Sequence, residues 1–276
     1  MLFATTSLAA RIERAEARLV SDSARAAERR RPGAGSFAIE LAGGVAAFAG
    51  AGSPLNKVAG LGFAGALDPR ELEAVERAYA AHETPVQVEL ACLATPEIGA
   101  FLTRRGYALV NFENVLGRPL PFEPAAAAAG ISVSECSDGD LAGWLDVAIA
   151  GFASPDLEGV PSHESFPREA LERTMADMSQ ASGFVRYLAR REGQVAGAAS
   201  MRLFDGIAQL CGAATLPEHR RRGVQGTLLA ARLAAATRAG CDVAVVTTQP
   251  GSKSQENVQK RGFELLYTRA TLVKDS

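Results

Sequence analysis

The chain has 276 residues, of which 47% are hydrophobic, 22% charged and 6% aromatic. That is the balance of an ordinary soluble globular protein, long enough for two domains. A formal net charge of −2 excludes a global attraction for nucleic acid or an anionic membrane, so any basic site must be local.

The amino-terminal stretch MLFATTSLAARIERAEARL is briefly apolar. Glu13 and Glu16 fall where a secretion signal needs its apolar core and cleavage site, so the stretch reads as the first amphipathic helix of a cytoplasmic protein. Next, SFAIELAGGVAAFAG has the pattern of a hairpin around Gly43-Gly44, and NKVAGLGF that of a further strand. DPRELEAVERAYAAHE reads as a helix. VQVELACLATPEIGAFLTRRGYALVNFENVL then gives strand, helix and strand.

GRPLPFEPAAAAAGISVSE, residues 117–135, gathers three prolines and an alanine run before a new alternating segment. It places a boundary near residue 125 and predicts domains over 1–124 and 125–276. Beyond it, ISVSE reads as a strand, DGDLAGWLDVAIAGF as a helix and PREALERTMADMSQ as a second helix after a polar loop over 153–168. Three strands follow over FVRYLARREGQVAGAASMRLFDGIAQLCGAAT, with turns at REGQ and FDG. A helix starts after RRRGVQG, CDVAVVTT is a buried strand, GSKSQENVQKRG a short helix and FELLYTRATLV a last strand. The expected fold is α/β: two similar domains, each a mixed sheet flanked by helices. The 86–116 segment lies over 243–273 with a single-residue gap, matching Arg105-Gly106-Tyr107 to Arg261-Gly262-Phe263. Duplication of one fold explains this echo.

Four cysteines, Cys92, Cys136, Cys211 and Cys241, show no CxxC spacing. Three sit in apolar runs and read as small buried hydrophobes. The three histidines are dispersed, so no metal site is expected. No apolar run is long enough to span a bilayer.

The segment TLPEHRRRGVQGTLLAARLAAATRAG, 215–240, carries the chemistry. A helix start exposes unpaired N–H groups and partial positive charge, and so accepts anions. Gly223 and Gly226 let the backbone turn tightly beside an oxygen, and Arg220, Arg221 and Arg222 add charge. The segment suits a ligand with several phosphates. No Gly-Lys-Ser/Thr follows, which excludes a P-loop, and no GxG precedes, which excludes the dinucleotide fingerprint.

Strand, RRRGVQG, helix, strand, helix, RGF and strand, in that order over 130–274, resemble the GNAT superfamily of N-acetyltransferases. In that family an Arg/Gln-x-x-Gly-x-Gly/Ala loop holds the pyrophosphate of acetyl coenzyme A. Arg220, Gly223 and Gln225 take those positions, so Gln225 replaces the last small residue and Gly226 follows one place later. The resemblance implies coenzyme binding by Arg220, Arg221, Arg222, Gly223, Val224, Gln225, Gly226 and Thr227. It also implies that Ala213, Ala214, Thr215 and Leu216 line the pantetheine arm with main-chain groups. The first half resembles a GNAT-like domain without a phosphate loop, making the chain a tandem.

The implied reaction moves an acetyl group from the thioester to an amine of a small molecule or peptide. The family's strand glutamate is missing from GIAQLCGAAT, and Val258 stands where many members have a tyrosine. Candidate proton acceptors in the loop SPDLEGVPSHES are Asp156, Glu158, His163 and Glu164, with His163 and Glu164 the candidate catalytic residues. Ser254 and Asn257 are candidates to hydrogen-bond the coenzyme, Ser254 also as a catalytic residue. The alternative from another class is a non-catalytic acyl-CoA binding or sensing module. No nucleic-acid or membrane partner is expected, and a monomer and a homodimer are both open.

Overall fold

A computed structural model describes residues 2–122, 128–152 and 166–275. Eleven strands and seven α-helices occupy them. Two compact units result, and they do not follow the halves of the chain. The described residues of Met1–Leu116, Glu158–Ala181 and Thr247–Ser276 form unit 1, and those of Gly117–Leu157 and Ser182–Val246 form unit 2.

Unit 1 begins with α1 (Thr6–Arg30), capped by the Thr5 hydroxyl, which accepts from the Leu8 amide. The helix is long because its alanines, with Ile12, Leu19 and Val20, give one continuous buried stripe. Strands β1 (Phe37–Leu41) and β2 (Gly44–Phe48) pair in register from Leu41 opposite Gly44. Ala42 and Gly43 between them have φ of 46° and 80°, the two-residue turn whose twist matches a hairpin. Strand β3 (Lys57–Ala59) is antiparallel to β2 and parallel to β4 (Val86–Ala91). Helix α2 (Pro69–Ala80), capped by Asp68 with Pro69 in its first turn, makes the β3-to-β4 crossover. Helix α3 (Pro96–Arg104) and β5 (Ala108–Pro119) follow.

The last strand, β11 (Glu264–Lys274), pairs antiparallel with β4, from Arg269 opposite Ala91 to Lys274 opposite Val86. The strand order of unit 1 is therefore β1-β2-β3-β4-β11-β5. Helix α5 (Arg168–Met178) also belongs here. Asp177, fully buried, takes Arg30 at the end of α1 and Arg31 just beyond it at 2.6 Å each, and Ser53 bonds Thr174 at 2.9 Å. Helix α7 (Lys253–Gln259) completes the unit.

Between α1 and this sheet lies a buried ionic row. Lys57 meets Glu89 at 2.9 Å and Glu16 at 3.1 Å, while Arg269 meets Glu13 at 2.7 Å, Glu89 at 3.7 Å and Glu113 at 3.9 Å. Four carboxylates share two cations. Burial, then the charge of Glu89, pushes the Glu113 carboxyl up to about 7. Burial also raises Glu13, against the opposing pull of Arg269.

Unit 2 has the strand order β10-β9-β8-β7-β6, formed by β6 (Ile131–Glu135), β7 (Phe184–Arg191), β8 (Gln194–Phe204), β9 (Ile207–Thr215) and β10 (Val243–Thr248). Turns at Glu192-Gly193 and Asp205-Gly206, all with positive φ, join β7, β8 and β9 into a meander. Helix α4 (Leu141–Phe152) packs on β8 and β9, and Trp144 donates its indole N–H to the Ala199 carbonyl. Helix α6 (Val224–Arg238) packs on β8 and β9 too.

The elements read from the sequence are all present, and both members of the internal echo are strand, helix, strand: β4-α3-β5 and β10-α7-β11. Of the cysteines only Cys241 is buried; Cys92 is exposed and the other two half-buried. Cys92 sits one residue past the end of β4, where the chain has left the core.

Candidate active site

Two features of unit 2 converge at the end of β9. The first is a parting of parallel strands. β9 and β10 pair only from Ile207 opposite Val243 to Gln209 opposite Val245, although β9 runs on to Thr215. From Cys211 onward the strand loses burial, and Gly212 and Ala213 are exposed. Beyond Gln209 the strand no longer runs in register with β10.

The second is a register shift on the opposite side. β8 and β9 pair with Met201 opposite Leu210, and then with Ala199 opposite Ala213. Two residues of β9, Cys211 and Gly212, thus face the single Ser200. This is a β-bulge, with Gly212 at φ 110° supplying the left-handed backbone. A bulge bends its strand and re-aims the residues after it, here Ala213, Ala214 and Thr215.

The chain leaves Thr215 through a short turn at Pro217–His219 and enters α6 at Gly223, whose φ is 89°. No side-chain hydrogen bond caps this helix start. Arg220, Arg221, Arg222, Gly223 and Gln225 are exposed, and Val224 and Thr227 are buried. Val224 and Thr227 therefore anchor the loop: the Thr227 hydroxyl and amide both bond the Gly223 carbonyl, at 3.1 and 3.0 Å. Arg221 holds φ 58°, a conformation that a non-glycine residue adopts at a cost. His219 is buried beside the loop, and its Nδ1 lacks a hydrogen-bond partner among the described residues.

Two glycines absent from the sequence reading draw this site together. A Cβ on Gly151 of α4 would lie 2.1 Å from the Ala214 Cβ, and one on Gly197 of β8 would lie 2.8 Å from the Ala214 carbonyl oxygen and 2.9 Å from Val224 Cγ1. Small residues let α4 and α6 approach β9 at the residue that leads into the loop. A glycine inside an apolar helix pattern was the available signal.

The sequence-derived set divides accordingly. Ala214, Thr215, Leu216 and Arg220 to Thr227 come together in unit 2. Ser254, exposed, and Asn257, half-buried, lie on α7 in unit 1. His163 and Glu164 lie outside the described residues. Tyr267 is core: its phenol donates to Glu13. Among the described residues no group of histidine, cysteine and carboxylate side chains could hold a metal, and no helix is long and apolar enough to cross a membrane.

Unit 1 has a parallel pair of the same kind, β3 and β4, but its ends are joined. The Thr95 amide and hydroxyl both bond the Gly62 carbonyl, at 3.0 and 2.9 Å. The cleft beside them, lined by Thr6, Ser7, Gly62, Phe63 and Thr95 among others, has no charged side chain in its wall among the described residues.

Parted parallel strands, a bulge and a glycine-started helix form the architecture of an acetyltransferase fold. Residues 150–263 match the sequence model of the Acetyltransferase (GNAT) family. Among solved structures, a GCN5-related N-acetyltransferase from Kribbella flavida aligns over 92% of this chain and 96% of its own, at 22% identity and a TM-score of 0.60. A tandem GNAT protein from the clavulanic acid biosynthesis pathway aligns over 99% of this chain and 97% of its own, at 14% identity and a TM-score of 0.60. A GCN5-related N-acetyltransferase from Sphaerobacter thermophilus covers 79% of this chain and 71% of its own, at 16% identity and a TM-score of 0.56. No curated protein matches. The family match covers the second part of the chain, and the likeness to these structures shows that the chain shares their fold.

Proposed function

We propose that the protein transfers the acetyl group of acetyl-CoA to an amine of a small molecule or peptide, using unit 2 as the coenzyme site. The observation that carries this reading is the parting of β9 from β10 directly upstream of a glycine-started helix flanked by exposed arginines. The pyrophosphate would lie on the amides of Val224, Gln225 and Gly226, with Arg220, Arg221 and Arg222 supplying positive charge. The fit is physical: the loop presents amides and guanidinium groups, and no carboxylate but that of Glu218 stands among residues 214–227. Ala214, Thr215 and Leu216 would flank the pantetheine arm with main-chain groups that β10 leaves free.

Chemically, a neutral amine nitrogen attacks the thioester carbonyl, the C–S bond breaks, and the nitrogen's proton ends on the thiol. The strand-end amides of β9 donate to the carbonyl oxygen as its charge grows. The amine must first lose its proton, and His163 and Glu164 are the proposed acceptors, directly or through water. Ser254 and Asn257 are proposed to contact the coenzyme. Unit 1 serves structure and acceptor selection, because its joined strand ends and uncharged cleft offer no phosphate site.

The test is calorimetric titration with acetyl-CoA of the wild-type protein and of Arg220→Glu/Arg222→Glu, followed by thiol release on a panel of amines. These arginines are exposed, so the double variant should keep its melting temperature while its affinity falls at least about tenfold, roughly 1.4 kcal/mol. Wild-type protein without affinity for acetyl-CoA sinks the proposal. Binding without turnover on any amine replaces it with a non-catalytic acyl-CoA module.

A further inference from the structure

Arg232 sits two turns into α6, on its buried face, and is 4% exposed. Its Nη1 donates to the Ser200 carbonyl at 3.1 Å and to the Gly212 carbonyl at 3.2 Å, and its Nε donates to the Leu228 carbonyl of its own helix at 3.3 Å. Ser200 and Gly212 are the two sides of the β8–β9 bulge, and the Ser200 hydroxyl donates to the remaining bulge carbonyl, that of Cys211, at 3.0 Å. Burial lowers the guanidinium to about 10, and the groups that favour its charge are Cys211 and Tyr187, with no carboxylate among them.

A buried cation whose hydrogen bonds, among the described residues, all go to carbonyls is an expensive way to fill a core position. A leucine there would continue the apolar stripe of Leu228, Leu229, Leu233 and Ala236. What a leucine could not do is satisfy the backbone. A bulge disrupts the ladder locally, and the guanidinium supplies N–H donors at fixed spacing in the place of that ladder. One rigid fork thereby ties both strands to the helix.

We infer that Arg232 is a positioning residue: it holds the Cys211–Gly212 bulge against α6 and so fixes the direction of the Ala213–Thr215 main chain relative to the loop that starts the same helix. The inference rests on the proposed acetyl transfer for its catalytic consequence only. The loop amides belong to the first turn of α6 and do not depend on Arg232, whereas the donors to the acyl carbonyl lie beyond the bulge. Losing the fork should therefore cost turnover more than coenzyme affinity.

The variants are Arg232→Met, which keeps the apolar stem, and Arg232→Lys, which keeps a charge but not the fork. Ser200→Ala, which removes only the hydroxyl bond to Cys211, is the milder probe should Arg232→Met fail to fold. Hydrogen exchange of the full-length protein, resolved by peptide, is the readout that needs no activity. In Arg232→Met, exchange over Cys211–Thr215 should rise at least about tenfold while β7 keeps its protection. Arg232→Lys and Ser200→Ala should fall between that variant and the wild type. In acetyl transfer, kcat of Arg232→Met should drop by about 10–100-fold, as for a small misplacement of reacting groups, with the acetyl-CoA Kd within about threefold. A uniform rise in exchange across unit 2, or none at all, overturns the inference, as does a parallel loss of Kd and kcat. Wild-type protein that binds no acetyl-CoA would remove the proposed reaction, and the exchange pattern would still decide whether Arg232 holds the bulge.

Discussion

Tyr267 in β11 donates its phenolic proton to Glu13 in α1 at 2.7 Å, across 254 residues of chain. Arg269, two residues on and on the same strand face, reaches the same Glu13 oxygen at 2.7 Å. One carboxylate of the first helix thus receives two inward groups of the last strand, and β11 is fastened to unit 1 by charge-assisted bonds as well as by its ladder with β4.

Removing either donor tests this fastening. Tyr267→Phe loses one buried bond to a charged acceptor and should destabilise the protein by about 1.5–3 kcal/mol. Arg269→Met removes the cation that Glu13, Glu89 and Glu113 share, leaves buried carboxylates uncompensated, and should cost about 3–5 kcal/mol. Urea unfolding at neutral pH reads both. Equal, small losses would mean that the ladder alone holds β11.

Glu113 gives the ionic row a pH signature. Its carboxyl is raised from 4.5 to about 7 by burial and by Glu89, so the folded state holds a proton that the unfolded state has released. Stability from this group is present below about 4.5, is lost progressively as pH rises to about 7, and stays lost above that. Glu113→Gln removes the slope. The variant should exceed the wild type by about 1–3 kcal/mol at pH 8, with the advantage gone near pH 4. Urea midpoints from pH 4 to pH 8 decide it, and a variant less stable at pH 8 contradicts it.

Asp177 anchors α5 to α1 through Arg30 and Arg31. The aspartate is buried while the two arginines are partly exposed, so on its removal both cations regain water. Asp177→Ala should cost about 1–3 kcal/mol, less than the loss of Arg269. The same unfolding series ranks the two, and a reversed order would show that exposure does not govern the cost.

The features legible in the sequence are the local ones. The loop from Arg220 to Gly226 and the turn at Gly43 depend on neighbours within a few residues, and each lies where the pattern put it. The partner of β11 was not legible. Its alternation says which residues face a core but not whose core, and the choice of β4 depends on Tyr267 and Arg269 meeting a carboxylate in α1. The bulge was hidden for the same reason, since register is a relation between strands. Its holder left a trace nonetheless: Arg232 falls within an apolar stripe at helical spacing, and a cation in that place asks for a backbone to bind.

The glycines of α4 separate two roles within one helix. A Cβ on Gly151 would lie 2.1 Å from the Ala214 Cβ, whereas one on Gly143 meets nothing within 4 Å. Gly143→Ala should therefore stabilise the protein by about 0.5–1 kcal/mol through helix propensity alone and leave acetyl transfer unchanged. Gly151→Ala gains the same propensity but must push α4 off β9, at a cost of about 1–3 kcal/mol. Because the displaced contact is Ala214, beside the proposed pantetheine arm, turnover should fall further than stability explains. Thermal unfolding together with acetyl-CoA titration of both variants reads the difference. Should Gly151→Ala unfold at a higher temperature than the wild type with full activity, α4 does not rest on β9 through that glycine.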